Sequence, residues 1–352
     1  MGLINTKNQL SAIGLEIDAH EFRAVQLIRS PKGVSTVAWA IFPRQCTRET
    51  QDLTTLPESE ELRWAASILG RRGFVGNKVS TAPSTAQSSS HVFELPPAES
   101  GAPIDQLARM EVARARRCGP EDFEFGFWPL PAKGRTAETI AVALPRTVIH
   151  TMIERYQDAG LELVGIDLME LAIHRGSTSG VDMVTDEINA SLHIGWSSSL
   201  AVLTLGETVI YVRRIERGVS GVWALAKERY KLSDRGADTV ISDHDVQRNA
   251  QASAKVRGAV WAMLAAELAS ELDVAIAYVS HSFRMAPFGK IQLSGYGTSN
   301  EVILNKLDQI LGIPVECSPA RTLIEGVGTG DNTWATAGRL STAYGLAARF
   351  DR

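Results

Sequence analysis

Cysteine is scarce in this sequence, and its scarcity excludes a disulfide-stapled protein. The 352 residues include three cysteines, Cys46, Cys118 and Cys317, which are odd in number and far apart. This usage argues against a disulfide framework and favours a reducing compartment. We therefore expect a cytoplasmic protein whose stability comes from its cores.

Long apolar runs and an excess of positive charge are missing as well. No stretch of about eighteen apolar residues occurs, so the sequence predicts no direct transmembrane segment. The opening residues, MGLINTKNQLS, lack the apolar core of a signal peptide. The net charge of −4 gives no basic field, which argues against nucleic acid as a partner. The sequence also shows no catalytic triad, metal-ligand spacing or zinc motif, so it predicts no catalytic residue and no metal ligand.

What the sequence does contain is a strand–turn–strand pattern that occurs twice. In the first copy, AIGLEIDAHEFRAVQL at 12–27, apolar residues lead into a polar turn at 18–21 and a second strand follows. The second copy, ASLHIGWSSSLAVLTL at 190–205, has a Gly-Ser turn at the same place. With 44% hydrophobic and 22% charged residues, the chain can form two domains with real cores. We therefore predict an internally duplicated α/β protein with a cleft between its halves.

The other elements alternate between strands and helices, which places helices against a sheet. We expect a first domain at 1–178, with an inserted subdomain at about 83–165, and a second domain at 179–352. The boundary falls in a predicted glycine-containing linker, Gly176–Gly180. A last helix is predicted from about Trp334 to Arg349.

The inserted segment is rich in arginine and aromatic residues. A predicted helix at 104–117 carries Arg114, and the following stretch contains Phe123, Phe125 and Phe127 with period-2 alternation. The aromatic residues can form a half-buried strand, or a groove that accepts a partner peptide, and the two interpretations are compatible. We take Arg114, Phe125 and Phe127 as candidate partner-binding residues.

Four segments of the chain resemble one family. They are LSAIGLEIDAHEFRAVQL at 10–27, EVARARRCGPEDFEFGFWPL at 111–130, TIAVALPRTVIHTMIERYQDAGLELVGIDLMELAI at 139–173 and IQLSGYGTSNEVILNKLDQILGIPVECSPA at 291–320. These segments resemble the PilM family, the cytoplasmic actin-like proteins of the type IV pilus inner-membrane assembly platform. The resemblance implies an actin-like (ribonuclease H-like) duplicated two-domain fold with a central cleft, in which two hairpin turns hold the phosphates of ATP.

The first turn departs from the family pattern, which typically reads Asp-Ile-Gly-Ser-Ser-Ser-Val-Lys. Glu16 still offers a carboxylate and Arg23 a positive charge, so the resemblance implies a nucleotide contact for both. Asp18, however, replaces the glycine that lets the backbone approach phosphate, and Ala19 and Glu21 remove two hydroxyl donors. Two like unit charges at 4 Å repel by about 1 kcal/mol in water and about 4 kcal/mol at an effective dielectric near 20. A metal ion could bridge Asp18 and a phosphate.

The second turn keeps more of the expected chemistry. Gly195, Ser197 and Ser198 form a loop that is compatible with phosphate. The family aspartate before this turn is His193 here, and a neutral imidazole cannot replace a carboxylate in positioning metal and water. His193 can also be read as a satisfied interior histidine.

The remaining nucleotide positions are implied by the resemblance. The adenine-side loop, usually Gly-Gly-Gly, is Gly295-Tyr296-Gly297, where Tyr296 can stack on a base or fill its space. Glu267 and Glu271 of a predicted long helix match the acidic residues that reach the ribose in the family, although each can equally be a solvated helix charge.

The resemblance also implies a function. We expect a scaffold that binds the cytoplasmic tail of a PilN-like membrane protein, contacts other platform or motor proteins, and attaches to the inner membrane only through a partner. The departures in the turns predict lost or weakened nucleotide turnover. An alternative is a switch that binds ATP and Mg²⁺ with slow or no hydrolysis. A second alternative is another member of the fold, such as an FtsA-like filament protein or a sugar-kinase relative.

Overall fold

The computed structural model describes residues 9–45, 56–131, 138–180, 183–241, 251–284, 286–298, 300–318 and 337–349. Cys46 and the first part of the predicted last helix, 334–336, lie outside the described residues. Within the described part of the chain, none of the helices combines the length and the apolar composition needed to cross a membrane.

The described elements of the first half are nine strands and four helices. The strands are β1 (Gln9–Leu10), β2 (Ile13–Ile17), β3 (Glu21–Ser30), β4 (Gly33–Pro43), β5 (Lys78–Thr81), β6 (Ser89–Glu94), β7 (Phe123–Pro129), β8 (Glu138–Pro145) and β9 (Glu162–Ile166). The helices are α1 (Ser59–Arg71), α2 (Ile104–Arg116), α3 (Arg146–Asp158) and α4 (Met169–Thr178).

The second half is described as five strands and five helices. The strands are β10 (Ile188–Ile194), β11 (Ser199–Leu205), β12 (Thr208–Ile215), β13 (Phe288–Gly295) and β14 (Val315–Cys317). The helices are α5 (Val219–Tyr230), α6 (Asp234–Ile241), α7 (Gln251–Ser282), α8 (Glu301–Leu311) and α9 (Ser341–Ala347).

The two large sheets have the same strand order. In the first sheet β4, β3, β2, β5 and β9 lie side by side, with the short β1 added to β3; in the second sheet the order is β12, β11, β10, β13 and β14. In the first sheet, β4, β3 and β2 are antiparallel neighbours, and β5 and β9 run parallel to β2. In the second sheet, β12, β11 and β10 are antiparallel neighbours, and β13 and β14 run parallel to β10. The predicted duplication is therefore confirmed, with β2 and β10 in equivalent positions.

A third, smaller sheet lies between β5 and β9 in the sequence. Its order is β6, β8, β7, and one face packs on α2 through Val112, Phe123 and Ala141. Its last strand in the chain, β8, ends at Pro145, and β9 then pairs with β5 in the first large sheet. The predicted division into domains stays a prediction.

Two helices, α4 and α9, pack against each other. The first-half helix α4 contacts strands of the second large sheet, and α9 contacts β2, β3 and β5 of the first sheet and β13 of the second. The predicted linker Gly176–Gly180 is wrong for its first residues, because α4 continues to Thr178. A Cβ atom on Gly176 would lie 1.9 Å from the backbone oxygen of Ser341, and one on Gly345 would lie 1.9 Å from that of Ala172. These glycines therefore allow two helices to approach closely instead of bending the chain.

Candidate functional site

The two duplicated turns face each other across the cleft between the halves. In the first turn, which joins β2 to β3, the N–H of Asp18 donates to the carbonyl of Glu21 at 3.0 Å. In the second, between β10 and β11, the N–H of Gly195 donates to the carbonyl of Ser198 at 3.2 Å. A Cβ atom on Gly195 would lie 2.5 Å from that same oxygen, so this turn requires glycine.

Arg23 is the centre of the first turn. Its guanidinium is fully buried and forms ion pairs with Glu16 at 2.8 Å, Asp18 at 2.8 Å and Glu21 at 2.7 Å. The cross-strand register places Glu16 directly opposite Arg23, so the hairpin itself brings the pair together. A buried charge is stable only when it is paired, and Arg23 is paired three times.

Two of these carboxylates, Glu16 and Glu21, have pKa values that are shifted in opposite directions. Burial raises the pKa of Glu16 to about 7, against the opposing attraction of Arg23. Burial also acts to raise the pKa of Glu21, but Arg23 and Arg339 outweigh it and lower this pKa to about 2. Arg339 reaches Glu21 from just before α9, so one carboxylate joins the two arginines. The other oxygen of Glu16, Oε2, is buried and has no hydrogen-bond partner among the residues that the structure describes.

His193 meets Glu16 from the other half. Its Nε2 lies 3.5 Å from Oε1 of Glu16, while Nδ1 lies 3.1 Å from the hydroxyl of Ser294 and 3.3 Å from that of Thr342. Burial, and then the charge of Arg23, lowers the pKa of His193 to about 3, so the imidazole is neutral. His193 is thus a buried, hydrogen-bonded histidine, as one of the two sequence interpretations proposed.

Tyr296 fills the space beside Arg23. The ring is 8% exposed, with the guanidinium carbon of Arg23 4.8 Å and that of Arg339 5.3 Å from its centroid. Trp196 of the second turn packs against Tyr296 at 6.3 Å between centroids and against His20 of the first turn at 3.8 Å. Cation–π and aromatic contacts therefore continue the ionic network across the cleft.

Two cavities of the described residues lie beside both turns. The larger, of about 400 Å³, is lined by Glu21 of the first turn, Trp196 of the second turn and Tyr296. The cavity that Glu16, Asp18, His193, Gly195 and Ser198 line has a volume of about 60 Å³. Pockets that enclose a small-molecule ligand usually measure about 300–1,000 Å³. The hydroxyl of Ser197 is buried, and no group of the described part of the chain forms a hydrogen bond with it.

The loop at 295–297 needs glycine at its first and last positions, because of its backbone conformation and its close packing. Gly295 and Gly297 have φ values of +84° and +75°, which favour glycine. A Cβ atom on Gly297 would lie 2.6 Å from the ring of Trp261 in α7, so the loop is tightly packed on that helix.

The two residues that the resemblance assigns to the ribose lie on α7 and pair with arginine side chains. Glu267 pairs with Arg217 at 2.9 Å, and Glu271 pairs with Arg213. Arg217 follows β12, and its carbonyl accepts a hydrogen bond from the hydroxyl of Ser199 beside the second turn. Glu267 is therefore linked to that turn through Arg217, and both glutamates act as partners of arginine.

A much larger groove lies between the small sheet and the first large sheet, with a volume of about 1140 Å³. Residues 124–126 of β7 line one side, and 163–168, which include the end of β9, line the other. Both strands are at the edges of their sheets, so main-chain groups on one side of each have no neighbouring strand in the described residues. Apolar side chains of Leu144, Ile149 and Ile153 form part of the wall.

The three candidate partner-binding residues have different environments. Phe125 lines the groove, although its ring stacks on Phe127 at 5.7 Å and lies under Arg109 at 4.9 Å. Phe127 packs against the core of the small sheet. Arg114 is 82% exposed on α2 and pairs with Glu111 at 3.9 Å. The half-buried aromatic strand predicted from the sequence is β7.

Sequence reasoning missed the contacts of Trp196 and Arg339 and the three carboxylates that surround Arg23. A signal for these ion pairs was present, since Glu16, Asp18, Glu21 and Arg23 fall within one hairpin. The contribution of Arg339 gave no such signal, because its contact with Glu21 depends on α9 returning to the first sheet.

Two sheets of the same order, facing turns and a pair of helices between the halves define an actin-like fold, as predicted. Comparison of the sequence with protein-family models and with curated proteins found no match. Among solved structures, the chain is similar to the PilM–PilN type IV pilus biogenesis complex, with a TM-score of 0.77, 19% identity, and 96% of this chain and 98% of that chain covered. It is also similar to the ethanolamine utilization protein EutJ from Carboxydothermus hydrogenoformans, with a TM-score of 0.53, 12% identity, and 94% and 89% covered. At these identities the likeness shows the fold.

Proposed function

We propose that the protein is a PilM-like cytoplasmic scaffold in an inner-membrane assembly platform of the type IV pilus or type II secretion kind. It binds the cytoplasmic tail of a PilN-like membrane protein and is attached to the membrane through that partner. The observation that carries the proposal is the groove of about 1140 Å³ between β7 and β9. The likeness of the whole chain to a PilM–PilN complex supports it.

The groove suits an extended peptide. An added strand can form main-chain hydrogen bonds with the edge of β7 or β9, and alternate side chains can enter apolar pockets. Val164 at 37% exposed offers apolar surface on β9, and Gly126 presents no side chain on β7. Affinity then comes from the main chain, and selectivity comes from the side chains that line the wall.

The protein's own side chains occupy part of the space that ATP and Mg²⁺ would need between the turns. The cavity beside Glu16 and Gly195 is about 60 Å³, several times smaller than usual ligand pockets, whereas the one beside Tyr296 is about 400 Å³. Arg23 already pairs with the carboxylates that a metal ion would bind. Tyr296, in contact with two arginines, fills the space beside the turns. The proposed scaffold therefore works without nucleotide turnover, and its own side chains connect the two halves.

A nucleotide-binding switch is the second candidate. The glycine and serines of the second turn and the unpartnered hydroxyl of Ser197 favour it. Binding would require Tyr296 and Arg23 to move, at the cost of breaking buried ion pairs.

A substitution at Gly126 tests the proposed groove. A Cβ atom there would meet no atom within 4 Å, so Gly126→Trp should leave the fold intact while its indole fills the groove. We expect the variant to bind a fluorescent peptide of a PilN-like cytoplasmic tail at least tenfold more weakly than the native protein in an anisotropy titration.

Gly70→Trp is the matched control, because Gly70 of α1 also has open space around it and lies outside the groove. Equal affinity for the native protein, Gly126→Trp and Gly70→Trp would reject this groove as the peptide site. Substituting Phe125 and Phe127 by alanine is less discriminating, because both rings also pack the small sheet.

A further inference from the structure

One end of the groove is rich in arginine. Arg175 from α4 and Arg349 beyond α9 line it, and both lie beside the carboxylate of Asp167. This end therefore has an excess of positive charge next to the edge of β9. The charge distribution bears on which peptide the groove accepts.

Asp167 is already fully engaged. It is 6% exposed, its Oδ1 accepts the N–H of Leu168 at 2.8 Å, and its Oδ2 pairs with Arg175. Arg349 is 53% exposed and its Nη1 lies 4.0 Å from Oδ1 of Asp167, at the limit of an ion pair. Asp167 thus neutralises Arg175 and leaves Arg349 weakly paired.

The other carboxylate of the groove is occupied as well. Glu124 of β7 pairs with Arg146 at 2.6 Å and lies 3.7 Å from Arg109. It therefore does not balance the arginines at the β9 end.

Arg349 lies beside the strand edge. Its Nη1 is 3.7 Å from the place where a Cβ atom of Gly165 would be, so the guanidinium lies over β9. A peptide strand added along β9 would pass within reach of this guanidinium. Arginine binds carboxylates in a bidentate, charge-assisted geometry that a strand-bound acidic side chain can offer.

We propose that Arg349 binds an aspartate or glutamate side chain of an extended peptide that lies along β9. The inference rests on the proposed function, because it names the chemistry of the peptide that the groove accepts. It makes Arg349 a specificity-determining residue, whereas the apolar wall provides general affinity.

Selection from a random twelve-residue peptide library on immobilised full-length protein tests the inference. The native protein should enrich peptides with alternating apolar residues and an acidic residue at one fixed position. Arg349→Glu should abolish the acidic preference, and each selected peptide should bind this variant, and Arg349→Gln, at least tenfold more weakly. Tenfold corresponds to about 1.4 kcal/mol, the low end for a hydrogen bond to a charged group.

Arg117→Glu is the control, because Arg117 is an exposed arginine after α2 that does not line the groove. It should select the same peptides as the native protein. If Gly126→Trp blocks selected peptides that carry no acidic residue, the inference is wrong and the proposed groove stands. If Gly126→Trp still binds every peptide that the native protein selects, the groove is not the peptide site and the proposed function is wrong about its location.

Discussion

Arg23 takes the place that a bound cation would have between the acidic groups of the first turn. Its guanidinium contacts three carboxylates, and Glu21 extends the contact to Arg339. Removing one member of a buried ionic cluster leaves uncompensated charge, which costs about 3–5 kcal/mol. The stability of the protein should therefore depend strongly on this one side chain.

Arg23→Met tests this dependence, since it keeps much of the volume and removes the charge. We expect the free energy of unfolding in urea to fall by about 3–5 kcal/mol, and Arg23→Lys to cost less because it keeps one charge. Arg63→Met is the control, because Arg63 makes an exposed hydrogen bond to the carbonyl of Asp158 and should change stability by about 0.5 kcal/mol or less. A loss below about 1 kcal/mol for Arg23→Met would contradict the structural role assigned to Arg23.

At the scale of elements, α4 and α9 connect the halves through close contacts of small residues. Gly176 and Gly345 place backbone against backbone, and a Cβ atom on Gly14 of β2 would lie 2.1 Å from the oxygen of Ala343. Such contacts cannot relax around an added methyl group, because the neighbouring atoms belong to the backbone.

Gly176→Ala and Gly70→Ala should therefore have opposite effects, although both glycines are in helices. Alanine at Gly70 should stabilise the protein by about 0.5–1 kcal/mol, since it favours the helix and meets nothing. Alanine at Gly176 should destabilise it by about 1–3 kcal/mol or more through overpacking. Thermal or urea unfolding measures both, and a stabilised Gly176→Ala variant would show that the helices separate easily.

Much of the fold followed from the sequence at this scale. The duplicated hairpins, the long α7 and the aromatic β7 all have strong periodicity, and the structure confirms them. The prediction failed at Gly176, because glycine in a linker and glycine in a close helix contact look alike without the partner helix.

The candidate site was less predictable than the fold. Glu16, Asp18, Arg23, Gly195 and Ser198 do meet at the cleft, because the duplicated hairpins bring them there. The arrangement of Tyr296 beside Arg339, and the pairing of Glu267 with an arginine, depend on side-chain contacts between distant elements. The resemblance to the family could not reveal these contacts, because it matches residues along the sequence and does not specify how their side chains are arranged.

At the scale of the whole molecule, the protein bridges its two halves with its own groups. His193 meets Glu16, Arg339 meets Glu21 and Tyr296 meets Arg23, so ionic, polar and aromatic contacts cross the cleft together. A protein whose halves are connected in this way can keep the proposed peptide groove in one shape without a nucleotide.

Titration calorimetry of the nucleotide-free protein with a PilN-like tail peptide tests this account most directly. We predict saturable binding of one peptide per chain, with the same affinity in the presence and absence of millimolar ATP and Mg²⁺, and no heat from ATP and Mg²⁺ alone. Peptide binding that appears only with ATP, or saturable heat from ATP itself, would contradict the account and establish the nucleotide-binding switch in its place.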